Sequence, residues 1–474
     1  MTRRSPWVSG AAAAAGLRRP GLPSPQERVW TGGIIARVCR GLPAAMLLGG
    51  AELRHIFAWQ DPFRSRPRPD DGPGEGPPEQ ERDRPWFRRS ETGGDVTNGL
   101  PPGEDPEPSG LTTILAANAN YPLELQLRAF CRAAADWPGS PLIVQFSHNA
   151  LRTIGGGQDA QAMASGARLA RFVLEHTVKE SEARYVAPAL DHFRVPPYPG
   201  DGGEGSSRAV RVARAAVDDA YEAARGVVGE VPDAEIQAYV VYLSSPAYTD
   251  FKRAFAAVLT ALEPAWAMID TEKLPPVLDH ALTRDVVDFT RKGLGLAETM
   301  LEAEYGATGV AGEAQDYHRL EGPDLAGFAE EVACFVTYTG ADGISYPVGM
   351  EHGAPAGERH EPDEDRLKAV QARLRQAAGR YVPFAQHGGT GAARLLRGWV
   401  GKNNVNTLFL VTAANHIADR VIADVDRIRA GVKEACGTGL YTGAVEAVRE
   451  ATVRKLREAG SFGAAPQLDR FGVG

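Results

Sequence analysis

Cysteine is scarce in this 474-residue sequence: Cys39, Cys131, Cys334 and Cys436 lie far apart, with no CxxC pair. That spacing excludes a disulfide-built scaffold and a thiolate zinc site, so any metal would have to be held by histidine and carboxylate. Long apolar runs are missing too. The best, Leu42 to Ala51, is broken by Pro43 and falls short of the roughly 20 residues that span a bilayer. Positive charge is not in excess: the formal net charge is −8 and the pI is near 5.8. Affinity for a nucleic-acid backbone draws on clustered Lys and Arg, so a general nucleic-acid binder is excluded. With no membrane span and no nucleic-acid partner, the expectation is a cytoplasmic protein acting on a small molecule.

What is present divides into two parts. Residues 1–108 crowd Arg, Pro and Gly together, and from Pro62 to Pro108 almost no periodic apolar pattern survives. Such a segment buries too little surface to offset its ordering entropy, and it reads as a disordered extension. Arg3, Arg4 and the alanines Ala11 to Ala15 mimic a targeting signal, but the run is short and ends in Arg18, Arg19 and Pro20. From residue 109 to 474, short apolar runs alternate with amphipathic helices. This pattern predicts an α/β fold, a TIM (β/α)8 barrel. Eight strands are expected: Thr112 to Ala117, Leu142 to Phe146, Tyr185 to Leu190, Ala265 to Ile269, Thr299 to Ala303, Gly343 to Val348, Val382 to Ala385 and Asn403 to Leu408. Helical patterns include Leu123 to Asp136, Ala160 to His176, Asp279 to Gly293, Asp363 to Ala378 and Ala413 to Cys436. One connection, about 194–263, is too long and reads as a helical insertion above the site.

A TIM barrel carries its active site at the carboxyl ends of its strands. There the sequence places Asp191, His192, Asp270, Glu302, Glu304, His352, Gly353, His387, Gly388, Gly389, Asn404, Asn406 and Thr407. A single histidine is more often a surface or core residue. Three at successive strand ends, with carboxylates, match what a catalytic zinc or another divalent cation requires. Gln386 to Gly391 reads QHGGTG, where glycine N–H groups can converge on an anion and Thr390 adds a hydroxyl. The loops after strands seven and eight are a frequent phosphate site in such barrels.

DHF at Asp191 to Phe193, MID at Met268 to Asp270, EAEYG at Glu302 to Gly306, TGADGISYPVGMEHG at Thr339 to Gly353, HGGTG at His387 to Gly391 and KNNVNT at Lys402 to Thr407 follow one another along the chain. In that order they resemble the class II, metal-dependent fructose-bisphosphate and ketose-bisphosphate aldolases. ANANYPLE at Ala117 to Glu124 and QFS at Gln145 to Ser147 add to the likeness. The resemblance implies that His192, His352 and His387 bind the metal, with Glu304 and Asp270 as carboxylates of the metal site. It implies Asp191 as a proton-moving group. Gly353, Gly388, Gly389, Thr390 and Thr407 match positions that hold a ketose phosphate, Asn118 and Asn404 match amides at its carbonyl end, and Ser147 matches a hydroxyl on the aldehyde half. A carboxylate such as Asp191 can take a hydroxyl proton in cleavage and return it in condensation; orienting a ligand histidine is its alternative role.

Departures accompany the likeness. Where the family has NIDT followed by Asp, this chain has Asn404, Val405, Asn406, Thr407 and Leu408, so Asn406 joins the substrate-binding candidates as an amide in place of an acid. Glu313, in a stretched loop, is the nearest candidate to move the second proton. No basic residue around Leu440 to Val445 matches the family's late arginine, so no cation is expected to meet a distal phosphate. The implied function is a metal-dependent aldolase acting on a ketose phosphate, with dihydroxyacetone phosphate as the ketone half. The rivals are a relative of specialised metabolism with another aldehyde and a non-catalytic sugar-phosphate-binding barrel. The expected assembly is a homodimer or higher homo-oligomer.

Overall fold

The computed structural model describes residues 47–62, 113–199, 205–306, 309–310, 317–352 and 359–470. Eight parallel strands close into a barrel: β1 (Ile114–Asn118), β2 (Leu142–Ser147), β3 (Val186–Arg194), β4 (Trp266–Asp270), β5 (Met300–Glu304), β6 (Gly343–Ser345), β7 (Phe384–Gln386) and β8 (Val400–Val405). Each strand pairs with its sequence neighbours, and β8 closes on β1, with Asn403 beside Leu115 and Asn404 beside Ala116. These strands read as apolar runs because both faces are covered, by helices outside and by the barrel interior within. In β2, for example, Leu142 to Phe146 are all buried.

Helices Leu123–Ala135, Ala160–Ser181, Pro246–Leu262, Pro276–Asp288, Gly322–Thr339 and Glu364–Ala378 connect successive strands up to β7. Each lays an apolar stripe on the sheet, as Leu127, Phe130, Cys131 and Ala134 do for the first. The connection from β7 to β8 carries no helix. The last strand differs from expectation: it runs Val400–Val405, and Thr407 already opens helix Thr407–Ala423 with Asn406 as its cap. The long helix expected to Cys436 stops at Ala423 and continues as the short pieces Val425–Arg429 and Lys433–Cys436, between which Gly431 takes a positive φ of 72°.

The insertion is shorter than expected and lies elsewhere. Pro246–Leu262 packs against Ala160–Ser181 and β3, so it is the barrel's own third helix. Only Ser207–Val228 and Asp233–Ser244 are additional. Helix Ser207–Val228 buries Ala213, Val217, Ala220 and Ala224 and packs on the outer helices Pro276–Asp288 and Gly322–Thr339, which places it against the barrel wall. Its small apolar stripe fits a groove between helices, and this overrides the expectation of a lid above the site.

Part of the stretch set apart as residues 1–108 is structured. Leu48 donates its N–H to the Val186 carbonyl at 2.9 Å, where β3 begins, and helix Gly50–Trp59 follows. Leu53, Ile56 and Phe57 are buried with Trp266, Met300, Ala116 and Ala187. Phe57 meets the Trp266 ring at 5.1 Å between centroids. A Cβ on Gly50 would stand 1.7 Å from the Glu298 carbonyl oxygen, so only glycine allows the helix to dock this closely. The end of the apolar run too short for a bilayer, from Leu47 on, thus begins a plug for the barrel's amino-terminal mouth. The remaining residues of 1–108 lie outside the described part of the chain.

A candidate metal centre at the carboxyl mouth of the barrel

β3 supplies two adjacent site residues, which a regular strand would point to opposite faces. It avoids this with an irregularity: its register against β4 shifts between Leu190 and Phe193, and His192 takes a positive φ of 43°. A left-handed residue in a bulge re-aims the neighbouring side chains at a small cost in backbone strain. The buried Asp191 accepts from Asn118 Nδ2 at 2.6 Å and from Asn404 Nδ2 at 3.5 Å. His192 places Nδ1 3.3 Å from Asp270 Oδ2 and Nε2 3.0 Å from His387 Nδ1. Burial works against its charged form, but Asp191, Asp270 and Glu304 outweigh burial and hold the imidazole up at about 10.

His387, at the end of β7, is buried, and its Nε2 lies 2.9 Å from Glu302 Oε1. Glu302 in turn receives Lys402 Nζ at 2.6 Å and the Trp266 indole N–H. Glu302 and Lys402 are fully buried. Burial alone would raise the Glu302 carboxyl, yet Lys402 and His387 hold it well below the usual carboxylate range. A carboxylate on one imidazole nitrogen orients the ring and leaves the other nitrogen to the site. The other nitrogen, Nδ1, faces His192 Nε2 at 3.0 Å and the Asn404 amide nitrogen at 3.2 Å.

Glu304 tests whether these residues suit a cation. Both of its carboxylate oxygens are buried and have no hydrogen-bond partner. Burial, with Asp270 nearby, pushes its pKa well up. An unpartnered buried carboxyl is costly unless it is protonated or meets a cation. One ligand atom each from Asp191, His192 and His387 lie within 4.8 Å of one another, as do those of His192, Asp270 and Glu304. Imidazoles and carboxylates are the donor set that zinc and similar divalent ions take, so the residues fit. Asp270 Oδ2 lies 3.3 Å from both His192 Nδ1 and Arg194 Nε, so Asp270 can orient that histidine as well as join it and Glu304 around an ion. His352 belongs to a two-residue strand, Glu351–His352, paired with Gly309–Val310. Its side chain, Gly353 and Glu313 lie outside the described residues.

The substrate candidates gather on one side. Asn118 bridges Asp191 and the Gln145 amide. Ser147 sits level with Asp191 across the β2–β3 pair, and its hydroxyl oxygen accepts from Ala150 N–H at 3.2 Å, capping helix His148–Gly155. Gly388 has a positive φ of 70°, and a Cβ on Gly389 would stand 2.2 Å from Asn403 Oδ1. The HGGTG loop is therefore packed hard against β8. Gly389 N–H donates to the Asn404 carbonyl and Gly391 N–H to that of Gly388, both at 3.0 Å. Those two donors are spent within the protein, which narrows the expected anion nest. Thr390 Oγ1 accepts from Leu408 N–H at 3.3 Å, tying the loop to the start of helix Thr407–Ala423. Asn406 is exposed and accepts from Asn120 Nδ2 at 2.7 Å.

Residues 243–464 match the family model described as "Fructose-bisphosphate aldolase class-II". Over that stretch, a little under half of the chain, the barrel is similar to the class II aldolase family. The matched region takes in β4 to β8, hence His352 and His387; Asp191 and His192 precede it and stand on the geometry above. No curated protein matches this chain. Among solved structures, the YdjI aldolase from Escherichia coli K12 is 16% identical, over 75% of this chain and 94% of its own, with a TM-score of 0.43. Fructose-bisphosphate aldolase from Campylobacter jejuni is 15% identical, over 75% and 91%, with a TM-score of 0.46. Fructuronate-tagaturonate epimerase UxaE from Cohnella laeviribosi is 10% identical, over 77% and 82%, with a TM-score of 0.28.

Several residues of this barrel are not marked as site residues by the sequence. Glu302 was placed at a strand end without a role, and Lys402 had none; both were within reach of a simple rule. Alternate residues of a strand share a face, so Glu302 goes with Glu304 and Lys402 with Asn404. Lys455, on the last long helix, donates to the Gly389 carbonyl at 3.2 Å and braces the HGGTG loop from below. No local pattern marks it. Among the described residues no helix is long and apolar enough to cross a membrane.

Proposed function

We propose that this chain is a divalent-metal-dependent aldehyde-lyase that breaks or forms a carbon–carbon bond in a ketose phosphate, with dihydroxyacetone phosphate as the ketone half. The observation that carries this reading is Glu304: a buried carboxylate with two unpartnered oxygens beside His192, in a barrel whose residues 243–464 match the class II aldolase family model. His192, His387 and Glu304 would hold the ion, joined by His352, and Asp270 and Glu302 orient the two imidazoles from behind. When bound, zinc or another divalent cation supplies Lewis-acid stabilisation of the negative charge that develops on the ketone half.

The rest of the work falls to the chain's own groups. Asp191 takes the proton from the hydroxyl next to the breaking bond and returns it in condensation. The amides of Asn118 and Asn404 hold its carboxylate with two donors, fixing where that proton can go. Glu313 is the candidate for the second proton. Gly388, Gly389, Thr390 and Thr407 would border the ketone-side phosphate, with Gly353 assigned there by its motif alone; with Gly389 spent on Asn404, the side-chain hydroxyls and the start of helix Thr407–Ala423 would carry more of that contact. Ser147 and Asn406 border the aldehyde half. Exposed Leu410, Val411, Val421 and Ile422 on that helix support self-association into a homodimer or larger homo-oligomer.

The test is release of dihydroxyacetone phosphate from fructose 1,6-bisphosphate and fructose 1-phosphate by purified protein, with bound metal measured before and after chelation. One divalent ion per chain is expected, with activity lost on chelation and restored by zinc or another divalent ion. Release that ignores the chelator, or metal-replete protein inert on every ketose phosphate, would overturn the reading.

A further inference from the structure

The polar interior of the barrel reaches deeper than the candidate ligands. Alternate residues of a strand share a face, so Trp266, Met268 and Asp270 of β4 point the same way, as do Met300, Glu302 and Glu304 of β5. Asp270 and Glu304 stand at the level of the metal centre, Glu302 one level beneath it, and Trp266 and Met300 in the apolar plug. Trp266 crosses from the plug to the middle level. Its indole N–H donates to Glu302 Oε2, and its ring lies 5.1 Å from Lys402 Nζ. Phe57 packs against the same ring at 5.1 Å between centroids.

The two oxygens of Glu302 are divided between these neighbours. Oε1 faces His387 Nε2 at 2.9 Å, while Oε2 takes Lys402 Nζ at 2.6 Å together with the indole N–H. Trp266, Glu302 and Lys402 are all fully buried. A lysine ammonium is a point charge on a flexible stem, so on its own it fixes the direction of a carboxylate poorly. An indole on a rigid ring offers one donor in one direction. The barrel makes room for that ring: a Cβ on Gly343, which lies beside Glu302 in the register, would stand 2.4 Å from Trp266 Cη2. Interiors of such barrels are filled mainly by branched aliphatic side chains, which could occupy the volume but have no N–H to give.

We infer that Trp266 is a positioning residue of the candidate metal centre. With Lys402 it holds Oε2 of Glu302, which keeps Oε1 aimed at His387 and fixes that ring for the ion. This rests on the metal-dependent reading and adds to it a residue from the opposite half of the barrel. The plug thereby has two separate roles: its packing stabilises the fold, and one N–H reaches up to the site.

The experiment measures zinc affinity of the full-length protein by competition with a chelator of known affinity, and records the absorption spectrum of the same proteins loaded with cobalt(II). Trp266→Phe keeps an aromatic ring without the N–H. Trp266→Met fills the space with a flexible apolar chain and serves if the first variant does not fold. Zinc affinity should fall by about tenfold or more, the usual effect of losing an outer partner of a ligand histidine, and the cobalt(II) bands should shift as the His387 ring loses its fixed orientation. Phe57→Ala, which removes packing against the same indole, should lower the melting temperature and leave both readouts at wild-type values. Wild-type affinity and spectrum in a folded Trp266 variant overturn the inference. So does an equal loss of affinity in Phe57→Ala, because affinity would then follow core stability and not the N–H. In either case the wild-type protein still binds its ion, whereas failure of the metal-dependent reading leaves wild-type protein without bound zinc.

Discussion

The two mouths of the barrel are built on opposite principles. At the amino-terminal mouth Leu53, Ile56 and Phe57 drive into Trp266, Met300 and small residues such as Ala116 and Ala187, leaving an apolar plug. At the carboxyl mouth, one strand length away, Asp191, His192, Glu304 and His387 crowd together and Glu304 keeps two buried oxygens unpartnered. The same strands serve both: β4 gives Trp266 to the plug and Asp270 to the site, and β5 gives Met300 and Glu304. Buried polar groups left unmatched cost stability, and the plug is where the barrel can offset that cost. Stability and chemistry are thus divided between the mouths, with Trp266, whose indole N–H reaches Glu302, as the one link named between them, and substitutions at the two mouths should have different signatures.

The largest effect is expected at His387. His387→Ala should remove bound metal and, with it, all measurable turnover, because the ring is held between Glu302 and the site. Elemental analysis beside the cleavage assay checks this; full metal occupancy in the variant would remove His387 from the ligand set. Next is Asp191→Asn, for which metal binding should persist while kcat falls by about 10² to 10⁴, the usual contribution of a general acid–base group. A fall in metal content that tracks the fall in rate would show that Asp191 acts through the ligands instead.

At the opposite mouth the signature should invert. Phe57→Ala should cost about 3–5 kcal/mol of folding stability and leave kcat of the folded enzyme unchanged, as read by denaturant unfolding and by assay well below the melting point. Deleting residues 1–62 should destabilise at least as much, since it strips the whole helix Gly50–Trp59. Unchanged unfolding in both variants would mean that the plug contributes nothing. The smallest effect should come from Ser147→Ala, at about 1 kcal/mol from the lost helix cap, with a separate rise in KM for the aldehyde. There the two signatures coincide in one residue, and thermal melting with condensation kinetics can tell them apart.

Much of the barrel was legible because its signals are local. Each strand shows as an apolar run between turns, and the candidate ligands His192, His352 and His387 sit at run ends. The plug was not legible, because helix Gly50–Trp59 is short and set among segments with no apolar period, and its burial depends on a barrel that the chain builds later. The insertion was over-read for a related reason. Helix Pro246–Leu262 looks like a continuation of its two predecessors, and only packing against β3 shows it to be part of the barrel. Asp270, expected on the metal, lies with His192 and Glu304 in a group that could hold an ion, and its Oδ2 also reaches His192 and Arg194, a second contact that strand spacing does not announce.

By itself the sequence determined the order of strands, the end of the barrel where chemistry would gather, and the residue types available there. These follow from apolar period, turn residues and chain direction, which act between near neighbours. Only the tertiary structure decided that Lys402 and Glu302, 100 residues apart, would meet behind His387. It also decided that Asp191 and His192 would both serve the site, and that the Trp266 indole would reach Glu302. Such pairings depend on closing β8 onto β1 and on a register shift in β3, and the energy that selects them is shared among residues the chain brings together only when the barrel closes.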